Sequence, residues 1–253
     1  YRTQGKIVHR PWFSPAEYKQ LYEATRAYAR EPFHAGHKWN AEQVHDYVLF
    51  LANTGLRPDE AKNLQHRDVA IVEDEATGET ILEIEVRGKR GVGYCKSMPS
   101  AVRPYQRLIG RAKPVQAESR REKQRRRREG LPDYATEPPL LEYPQLTDPV
   151  FPGNHVKLFN GILDRAKLKR DRDEKPRTAY SLRHTYICMR LMEGADIYQI
   201  AKNCRTSVEM IEKFYAAHIK STLDAASINV RRPKPAARKP QPAHPAFDIE
   251  DDD

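Results

Sequence analysis

The chain has 253 residues, 39% of them hydrophobic, and its 44 lysines and arginines outnumber 35 aspartates and glutamates to give a formal net charge of +9. This length and composition suit one large or two small domains, and the basic balance favours a polyanionic partner and salt-sensitive binding. The three cysteines are widely separated and no apolar run is long enough to cross a bilayer, which argues against a disulfide framework, a cysteine metal site and a membrane span.

The first predicted elements are helices. Ser14 followed by Glu17 has the spacing of a capping box and starts the first helix. A second helix is indicated by apolar residues at i, i+3, i+4 and i+7, and it ends at Gly55. A third helix begins at Pro58, so that Arg57 lies at the junction. The apolar residues of the second helix are Val44, Tyr47, Val48 and Leu51.

Three short antiparallel strands are predicted next, at residues 68–73, 81–86 and 93–98, with glycine-bearing turns between them. Lys89 lies in the second turn, where its plain interpretation is a solvated hairpin charge. The sequence therefore predicts a small sheet between two helical parts of the chain.

Residues 111–149 have the composition of an insertion, because a run of nine lysines and arginines against three glutamates precedes a Pro-rich polar stretch. The run is either a solvated basic helix without a specific role or a surface that contacts DNA phosphates without reading bases. The candidate backbone-binding residues are Arg120, Arg121, Lys123, Arg125, Arg126, Arg127 and Arg128.

Helical spacing returns after the insertion. One helix is indicated within residues 151–168, by Val156, Phe159, Leu163 and Ala166. In the next helix, one stripe is expected to be buried while Tyr180, Arg183 and Ile187 lie on another, so that Arg183 can point into a cleft. The expected buried stripe consists of Leu182, Tyr186 and Met189.

Two further helices are predicted before the tail. A short one follows Asp196, and the last is expected to begin at Thr206, which has capping-box spacing to Glu209. Tyr215 shares a face of the last helix with Val208 and Ile211, and on spacing alone it is typical of a core or rim aromatic.

Residues 229–253 form a basic, Pro-rich tail with an acidic end, which cannot build a core of its own. The tail is either a disordered end or a segment that docks on a neighbouring protomer through Phe247 and Ile249.

Three stretches in order resemble the catalytic domain of the tyrosine recombinases, the phage-integrase family, over about residues 12–218. The family's first arginine signature is matched by Thr54, Gly55, Leu56, Arg57 and Glu60. Its second is matched by Leu182, Arg183 and His184, with Tyr180 in place of a histidine. The Gly-His pair that the family carries before its nucleophile is replaced by Arg205-Thr206, nine residues before Tyr215.

The resemblance implies an α+β, mostly helical catalytic domain with a small three-stranded antiparallel sheet, over residues 1–228. It also implies that this chain is a fragment lacking an N-terminal DNA-clamping domain. The implied partners are a double-stranded DNA attachment site and a homotetramer, with related recombinase subunits or accessory factors as further candidates and no membrane. The implied setting is the cytoplasm, for a bacterial or phage-encoded protein that needs no metal or other cofactor.

The resemblance also assigns catalytic roles. Arg57 and Arg183 hold the non-bridging phosphate oxygens, which guanidinium groups suit because they bind bidentately and stay charged. Tyr215 attacks the phosphorus and forms a covalent 3′-phosphotyrosine. Lys89 protonates the leaving 5′ oxygen, with Arg90 and Lys96 as nearby alternatives.

Tyr180 and Thr206 stand where the family has histidines, and each can donate a hydrogen bond. His184 follows Arg183 directly, and a rotation of about 100° per residue predicts that it turns away from the site and has a structural role. Glu60 lies one turn after Arg57 and is expected to orient an arginine or another site group.

Two other functions remain alternatives. A catalytically silent DNA-binding or architectural protein could keep the fold with Tyr180 and Thr206 in place of the histidines, and a type IB-like topoisomerase could relax DNA without exchanging partners. The chain shows no Gly-rich phosphate loop and no Ser/His/Asp arrangement to support a kinase or hydrolase.

Neutralising the basic run from Arg120 to Arg128 is expected to weaken binding to specific and random DNA about equally, because phosphate contacts carry no sequence information. The measurement is DNA affinity as a function of salt concentration, in which the variant should show a shallower slope. Unchanged slopes would leave the run as a solvated segment.

Overall fold

The computed structural model describes residues 10–88, 91–115, 124–125, 127–130 and 140–219. Several predictions lie outside these residues and stay predictions. They concern Lys89 and Arg90 in the second turn of the sheet, four residues of the basic run, and the tail 229–253. The four residues of the run are Arg120, Arg121, Lys123 and Arg126.

Helices make up most of the described chain. The first four, α1 to α4, cover Pro15–Arg30, Lys38–Thr54, Pro58–Asn63 and Val102–Ile109. The last four, α5 to α8, cover Val156–Arg165, Tyr180–Met192, Ile197–Asn203 and Val208–Ile219. The predicted capping box is confirmed, because the side chains of Ser14 and Glu17 accept each other's backbone amides. Over the described residues, no helix has both the length and the apolar character needed to cross a membrane.

The predicted three-stranded antiparallel sheet is also confirmed. Its strands are β1 (Val69–Glu73), β2 (Thr80–Gly88) and β3 (Gly91–Lys96), with β2 in the centre. Val69 pairs with Ile84 in β2, and Ile84 also pairs with Cys95 in β3. The register places these three side chains on the face of the sheet that joins the core, where all of them are buried.

A second pair of strands, which the sequence did not predict, lies at the two ends of the insertion. Strands β4 (Lys113–Val115) and β5 (Leu140–Glu142) are antiparallel, with Lys113 opposite Glu142. Strands of three residues are too short to show the apolar alternation by which a strand is recognised. Within the insertion, Arg125, Arg127 and Arg128 are helical and exposed.

Helix α6 runs between two apolar clusters and is buried on all sides from residue 181 to residue 188. Leu182 belongs to the larger cluster, with residues of α1, α2 and the sheet, while Tyr186 belongs to the smaller, with residues of α7 and α8. The prediction of a single buried stripe was therefore wrong. Ile187 is 2% exposed and Arg183 only 3% exposed, so the stripe that was predicted to face a cleft is also mostly enclosed by protein.

One helix has a different buried face from the predicted one, and another begins at a different residue. Helix α5 begins at Val156, whose side chain is half exposed, and its buried face consists of Phe159, Ile162 and Leu163. Helix α8 begins two residues after Thr206, and the hydroxyl of Ser207 accepts the amide of Met210 at 3.3 Å. Ser207 is therefore the capping residue, and the prediction that Thr206 caps this helix was wrong.

Gly55 ends α2 at φ +67°, in the left-handed region, and its backbone approaches two other elements closely. A Cβ at this position would lie 2.5 Å from Tyr186 Cδ1 and 3.0 Å from Cys204 Sγ. Gly78 has a matching φ of +68° but nothing within 4 Å of its would-be Cβ.

We expect Gly55→Ala to lower the free energy of unfolding by clearly more than Gly78→Ala. Both substitutions add a left-handed backbone penalty of roughly 1–2 kcal/mol, and only the first also forces Cβ into neighbouring side chains. Urea denaturation of the two variants measures the difference. Equal losses would show that the α2 terminus can move away from Tyr186 without cost.

Candidate functional site

Six of the predicted site residues line one cleft, which has a volume of about 250 Å³. The cleft lies between the α2–α3 junction, the start of α6 and helix α8. The six are Arg57, Tyr180, Arg183, His184, Thr206 and Tyr215. The fold thus brings together residues that are far apart in the sequence.

The two arginines are held by backbone carbonyls. Arg183 donates from Nη1 to the carbonyl of Gly55 at 2.7 Å and from Nη2 to that of Cys204 at 2.5 Å. Arg57 donates from Nη2 to the carbonyl of Arg205 at 2.9 Å. Consecutive carbonyls of the α7–α8 turn therefore receive one guanidinium each, which fixes the two positive charges relative to each other.

Glu60 links Arg57 to a third arginine. Its carboxylate accepts from Arg57 Nη1 at 2.7 Å and from Arg205 Nη2 at 2.6 Å, and it also accepts the backbone amide of Arg57 at 2.8 Å. Burial opposes the charged carboxylate, but the hydrogen bonds from Arg205 and Arg57 outweigh it and hold the pKa of Glu60 below its ordinary value. Glu60 is therefore ionised at neutral pH and connects Arg57 to Arg205.

Tyr215 and His184 form a buried pair. The hydroxyl of Tyr215 is hydrogen-bonded to Nδ1 of His184, and each residue is 6% exposed. Burial, followed by the charges of Arg10 and Arg183, lowers the pKa of His184 to about 3, while burial raises the pKa of Tyr215 above its ordinary value. At neutral pH a protonated phenol thus faces an uncharged imidazole, which can accept its proton.

His184 was predicted to turn away from the site, but it lies in the cleft beside Arg183. The rotation of about 100° between neighbouring helical residues is present. It directs Arg183 towards the ends of α2 and α7 and His184 towards α8, and both directions border the same cleft. Because α6 is enclosed by protein on all sides, a turn away from Arg183 does not lead to solvent.

Tyr180 and Thr206 complete the cleft. The Tyr180 ring lies 5.3 Å from the His184 ring between centroids, one helical turn before it. Burial disfavours the charged form of Arg57, but Glu60 and then Tyr180 more than offset this and raise the pKa of Arg57. Since Ser207 caps α8, the hydroxyl of Thr206 is not used for capping.

Lys96, an alternative to Lys89 as the general acid, is not in the cleft. Its ammonium lies 2.6 Å from Asp74 and 3.6 Å from Glu83, on the exposed side of β3. Lys89 and Arg90 lie outside the described residues. In the described part of the basic run, Arg125 forms an ion pair with Glu129 at 3.8 Å and does not line the cleft.

Two basic residues of this region were not assigned to the site by the sequence analysis. Arg10 lines the cleft and lies over the Phe214 ring, 4.2 Å from its centroid. Arg205 contacts both Glu60 and Arg57, as described above. Its position gives a usable signal, because an arginine replaces the glycine of the family's Gly-His pair, whereas nothing in the composition of residues 1–10 distinguishes Arg10.

The charges around the cleft suit an anion. Arg10, Arg57 and Arg183 border it, and Glu60, the acidic group nearest to the arginines, is already bound by two guanidiniums. Within the described residues, no group of three or more His, Cys, Asp or Glu side chains could hold a metal ion. The chemistry that these side chains can provide is phosphate binding by arginine together with proton transfer from a phenol to an imidazole.

Solved recombinases share this fold. The structure of XerA recombinase is 18% identical, with 88% of this chain and 64% of that chain covered at a TM-score of 0.50. The post-cleavage complex of XerH site-specific recombinase with a palindromic difH substrate is 16% identical, with 90% and 55% covered at a TM-score of 0.54. The pre-cleavage complex of XerH gives a TM-score of 0.53 at 15% identity.

The chain therefore has the fold of the tyrosine-recombinase catalytic domain, as the sequence predicted. It spans between 55% and 64% of the length of those recombinase chains. No family model and no curated protein sequence matches it.

Because the pKa of His184 is lowered in the folded chain, the free energy of unfolding is expected to depend on pH. Its ordinary value is 6.5 and its value in the folded chain is about 3, so below pH 6.5 the unfolded chain binds a proton at His184 that the folded chain does not. The contribution of His184 to stability is complete above pH 6.5 and is lost as the pH falls towards 3. We expect the free energy of unfolding to fall less steeply between pH 7 and pH 5 in His184→Gln than in the wild type.

The measurement is urea denaturation at several pH values. His37→Gln is the matched control, because it makes the same substitution at an exposed histidine. If His184→Gln had the same slope as the wild type, folding would not lower the pKa of His184.

Proposed function

We propose that the chain is the catalytic part of a site-specific DNA recombinase, or integrase, that cuts and rejoins DNA strands through a covalent 3′-phosphotyrosine intermediate in a tetramer. The observation that carries this proposal is the hydrogen bond between Tyr215 and His184 in the same cleft as Arg57 and Arg183. A nucleophile, a proton acceptor and two phosphate-binding cations are the groups that transesterification of a phosphodiester requires.

Phosphate binding is the first step. The guanidiniums of Arg57 and Arg183 take the two non-bridging oxygens of the scissile phosphate, and they stabilise the additional negative charge of the pentavalent transition state. Their fixed hydrogen bonds to Gly55, Cys204 and Arg205 mean that little reorganisation is needed when the charge develops.

The second step is attack by Tyr215. Its oxygen forms a bond to phosphorus, its proton passes to Nδ1 of His184, and the bond from phosphorus to the 5′ oxygen breaks. The leaving oxygen takes a proton from a general acid, a role that the resemblance gives to Lys89. The phosphotyrosine keeps the energy of the broken ester, so the reverse attack by a 5′ hydroxyl rejoins a strand without ATP.

Binding of the phosphate also prepares His184 to act as the base. In the free protein the charges of Arg10 and Arg183 oppose protonation of His184 and favour ionisation of Tyr215. A phosphodiester between the arginines supplies a negative charge that offsets theirs, which raises the affinity of His184 for a proton. The base therefore becomes stronger when the substrate is present.

Double-stranded DNA is the partner that the charge and the fold support. The chain carries a formal charge of +9, and XerH, which shares the fold, was solved bound to its difH substrate. A tetramer follows from the chemistry of exchange, because four strands must be cut and rejoined at one crossover.

Two alternatives predict different products. A catalytically silent DNA-binding protein would bind DNA without forming an adduct, since Tyr180 and Thr206 are weaker proton acceptors than histidine. A type IB-like topoisomerase would form the adduct and relax supercoils but would not form Holliday junctions.

Tyr215→Phe is expected to abolish covalent attachment to nicked suicide DNA built from candidate attachment sites, while DNA affinity stays unchanged, because only the nucleophilic oxygen is lost. Tyr186→Phe is the matched control: it removes a buried hydroxyl bonded to Asn203, outside the cleft, and should retain adduct formation.

The assay separates the candidate functions. Adducts and Holliday junctions with the wild type support a recombinase, and adducts without junctions favour the topoisomerase. DNA binding without adducts favours the silent protein. A persistent 3′-linked adduct in Tyr215→Phe would show that another residue is the nucleophile.

A further inference from the structure

The turn between α7 and α8 contains a strained residue. Arg205 has φ +51°, in the left-handed region that glycine adopts freely and other residues adopt at a cost. In this conformation the carbonyls of Cys204 and Arg205 each accept a guanidinium, from Arg183 at 2.5 Å and from Arg57 at 2.9 Å. The backbone of the turn thus sets the separation of the two phosphate-binding arginines.

The side chain of Arg205 reaches the same pair by another route. Its Nη2 donates to Glu60 Oε2 at 2.6 Å and its Nε to Glu60 Oε1 at 3.3 Å. Glu60 accepts Nη1 of Arg57 at 2.7 Å, so one carboxylate joins the two guanidiniums. Arg205 is therefore linked to Arg57 in two ways. The carbonyl of Arg205 accepts a hydrogen bond from Arg57 directly, and both guanidiniums donate to Glu60.

Arg205 is enclosed by its neighbours rather than directed at a ligand. Its remaining nitrogen, Nη1, donates to the carbonyl of Asn203 at 3.1 Å, and its side chain is 16% exposed. The sheet leaves room for it at Gly93, where a Cβ would lie 2.8 Å from Arg205 Cδ. All three guanidinium nitrogens are thus engaged by protein and Arg205 does not line the cleft, so a direct role in binding phosphate there is not favoured.

We propose that Arg205 is a positioning residue for DNA cleavage, which holds Glu60 and through it the guanidinium of Arg57 in the orientation that binds the scissile phosphate. This inference rests on the proposed function and adds to it a residue that contacts no reacting atom. An exposed ion pair would do little to fix the position of Arg57. The ion pairs of Glu60 with Arg57 and Arg205 are mostly buried, however, and the carboxylate accepts hydrogen bonds from both arginines at once.

The test uses four variants. Arg205→Gly removes the side chain and keeps a residue suited to φ +51°, so the turn can fold. Arg205→Lys keeps the charge but offers a single ammonium to Glu60. Glu60→Gln removes the charge that connects the arginines. Lys202→Ala is the matched control, because it removes an exposed positive charge three residues earlier.

The first readout is the single-turnover rate of adduct formation at saturating nicked DNA, with DNA affinity measured separately. We expect Arg205→Gly to be slower by on the order of 100-fold at unchanged affinity, since misplacing a catalytic group by about 1 Å has that effect. Arg205→Lys should recover part of the rate. Adding Arg205→Gly to Glu60→Gln should cost little more, because both act through one connection.

The second readout does not depend on cleavage. Orthovanadate, an analogue of the pentavalent phosphate, is titrated into each variant by calorimetry. Arg205→Gly should bind it about tenfold or more weakly than the wild type, the effect of one misplaced charge-assisted hydrogen bond. Lys202→Ala should bind it like the wild type.

The outcomes separate the two proposals. If the wild type forms adducts and Arg205→Gly cleaves as fast as Lys202→Ala, the positioning role is wrong and the proposed function stands. If the wild type forms no adduct, the proposed function fails, and vanadate decides the positioning role. Equal vanadate affinity in Arg205→Gly and the wild type, or no binding by the wild type, would then overturn it.

Discussion

A buried guanidinium is stable in a protein only where acceptors surround it, and Arg183 meets this requirement at the ends of two helices. Its two carbonyl acceptors belong to Gly55 and Cys204, the C-caps of α2 and α7. The last carbonyls of a helix lack partners within the helix, and the helix dipole is negative there. The convergence of two helix C-termini on α6 therefore compensates a charge whose burial would otherwise be prohibitive.

The surrounding structure follows from this constraint. Position 55 accommodates only a residue without Cβ, because Tyr186 and Cys204 approach it so closely. After Gly55 the chain enters α3, which places Arg57 and Glu60 beside Arg183. Tyr215 of α8 contacts His184, which follows Arg183 on α6. The cleft is thus lined by positive groups and by the uncharged, hydrogen-bonded pair of Tyr215 and His184.

The protonation states of Tyr215 and His184 respond to burial and to the nearby arginine charges. Burial, and after it the charges of Arg10 and Arg183, lowers the pKa of His184 and keeps it uncharged, while burial keeps the Tyr215 phenol protonated. The Tyr215 phenol is therefore protonated while an uncharged imidazole is hydrogen-bonded to it. Under the proposed function, an incoming phosphate would change the electrostatic balance without requiring a new hydrogen bond between the two side chains.

Patterns that depend on local spacing were predictable from the sequence. The capping box at Ser14, the apolar period of α2, its end at Gly55 and the three-stranded sheet are all local, and the structure confirms them. Arg57, Tyr180, Arg183, Thr206 and Tyr215, which the family resemblance placed in one site, also line one cleft.

What could not be predicted depends on tertiary surroundings. The position of His184 could not be inferred from helical rotation alone, since burial of α6 on every side gives that rotation no solvent side. Ser207 and Thr206 are both good caps, and the choice between them depends on where the turn places the first free amide. Arg205 departs from the family signature, which marks its position, but its contacts with Glu60, 145 residues earlier, could not be inferred from spacing.

The β4–β5 pair has a consequence for how this chain can diverge. Because Lys113 and Glu142 are opposite each other in the β4–β5 ladder, the two ends of the insertion are held next to each other. The entropic cost of closing a loop grows only by about 0.6 kcal/mol for each doubling of its length. Segments of very different size could therefore be exchanged at this point during evolution while the residues that line the cleft kept their places.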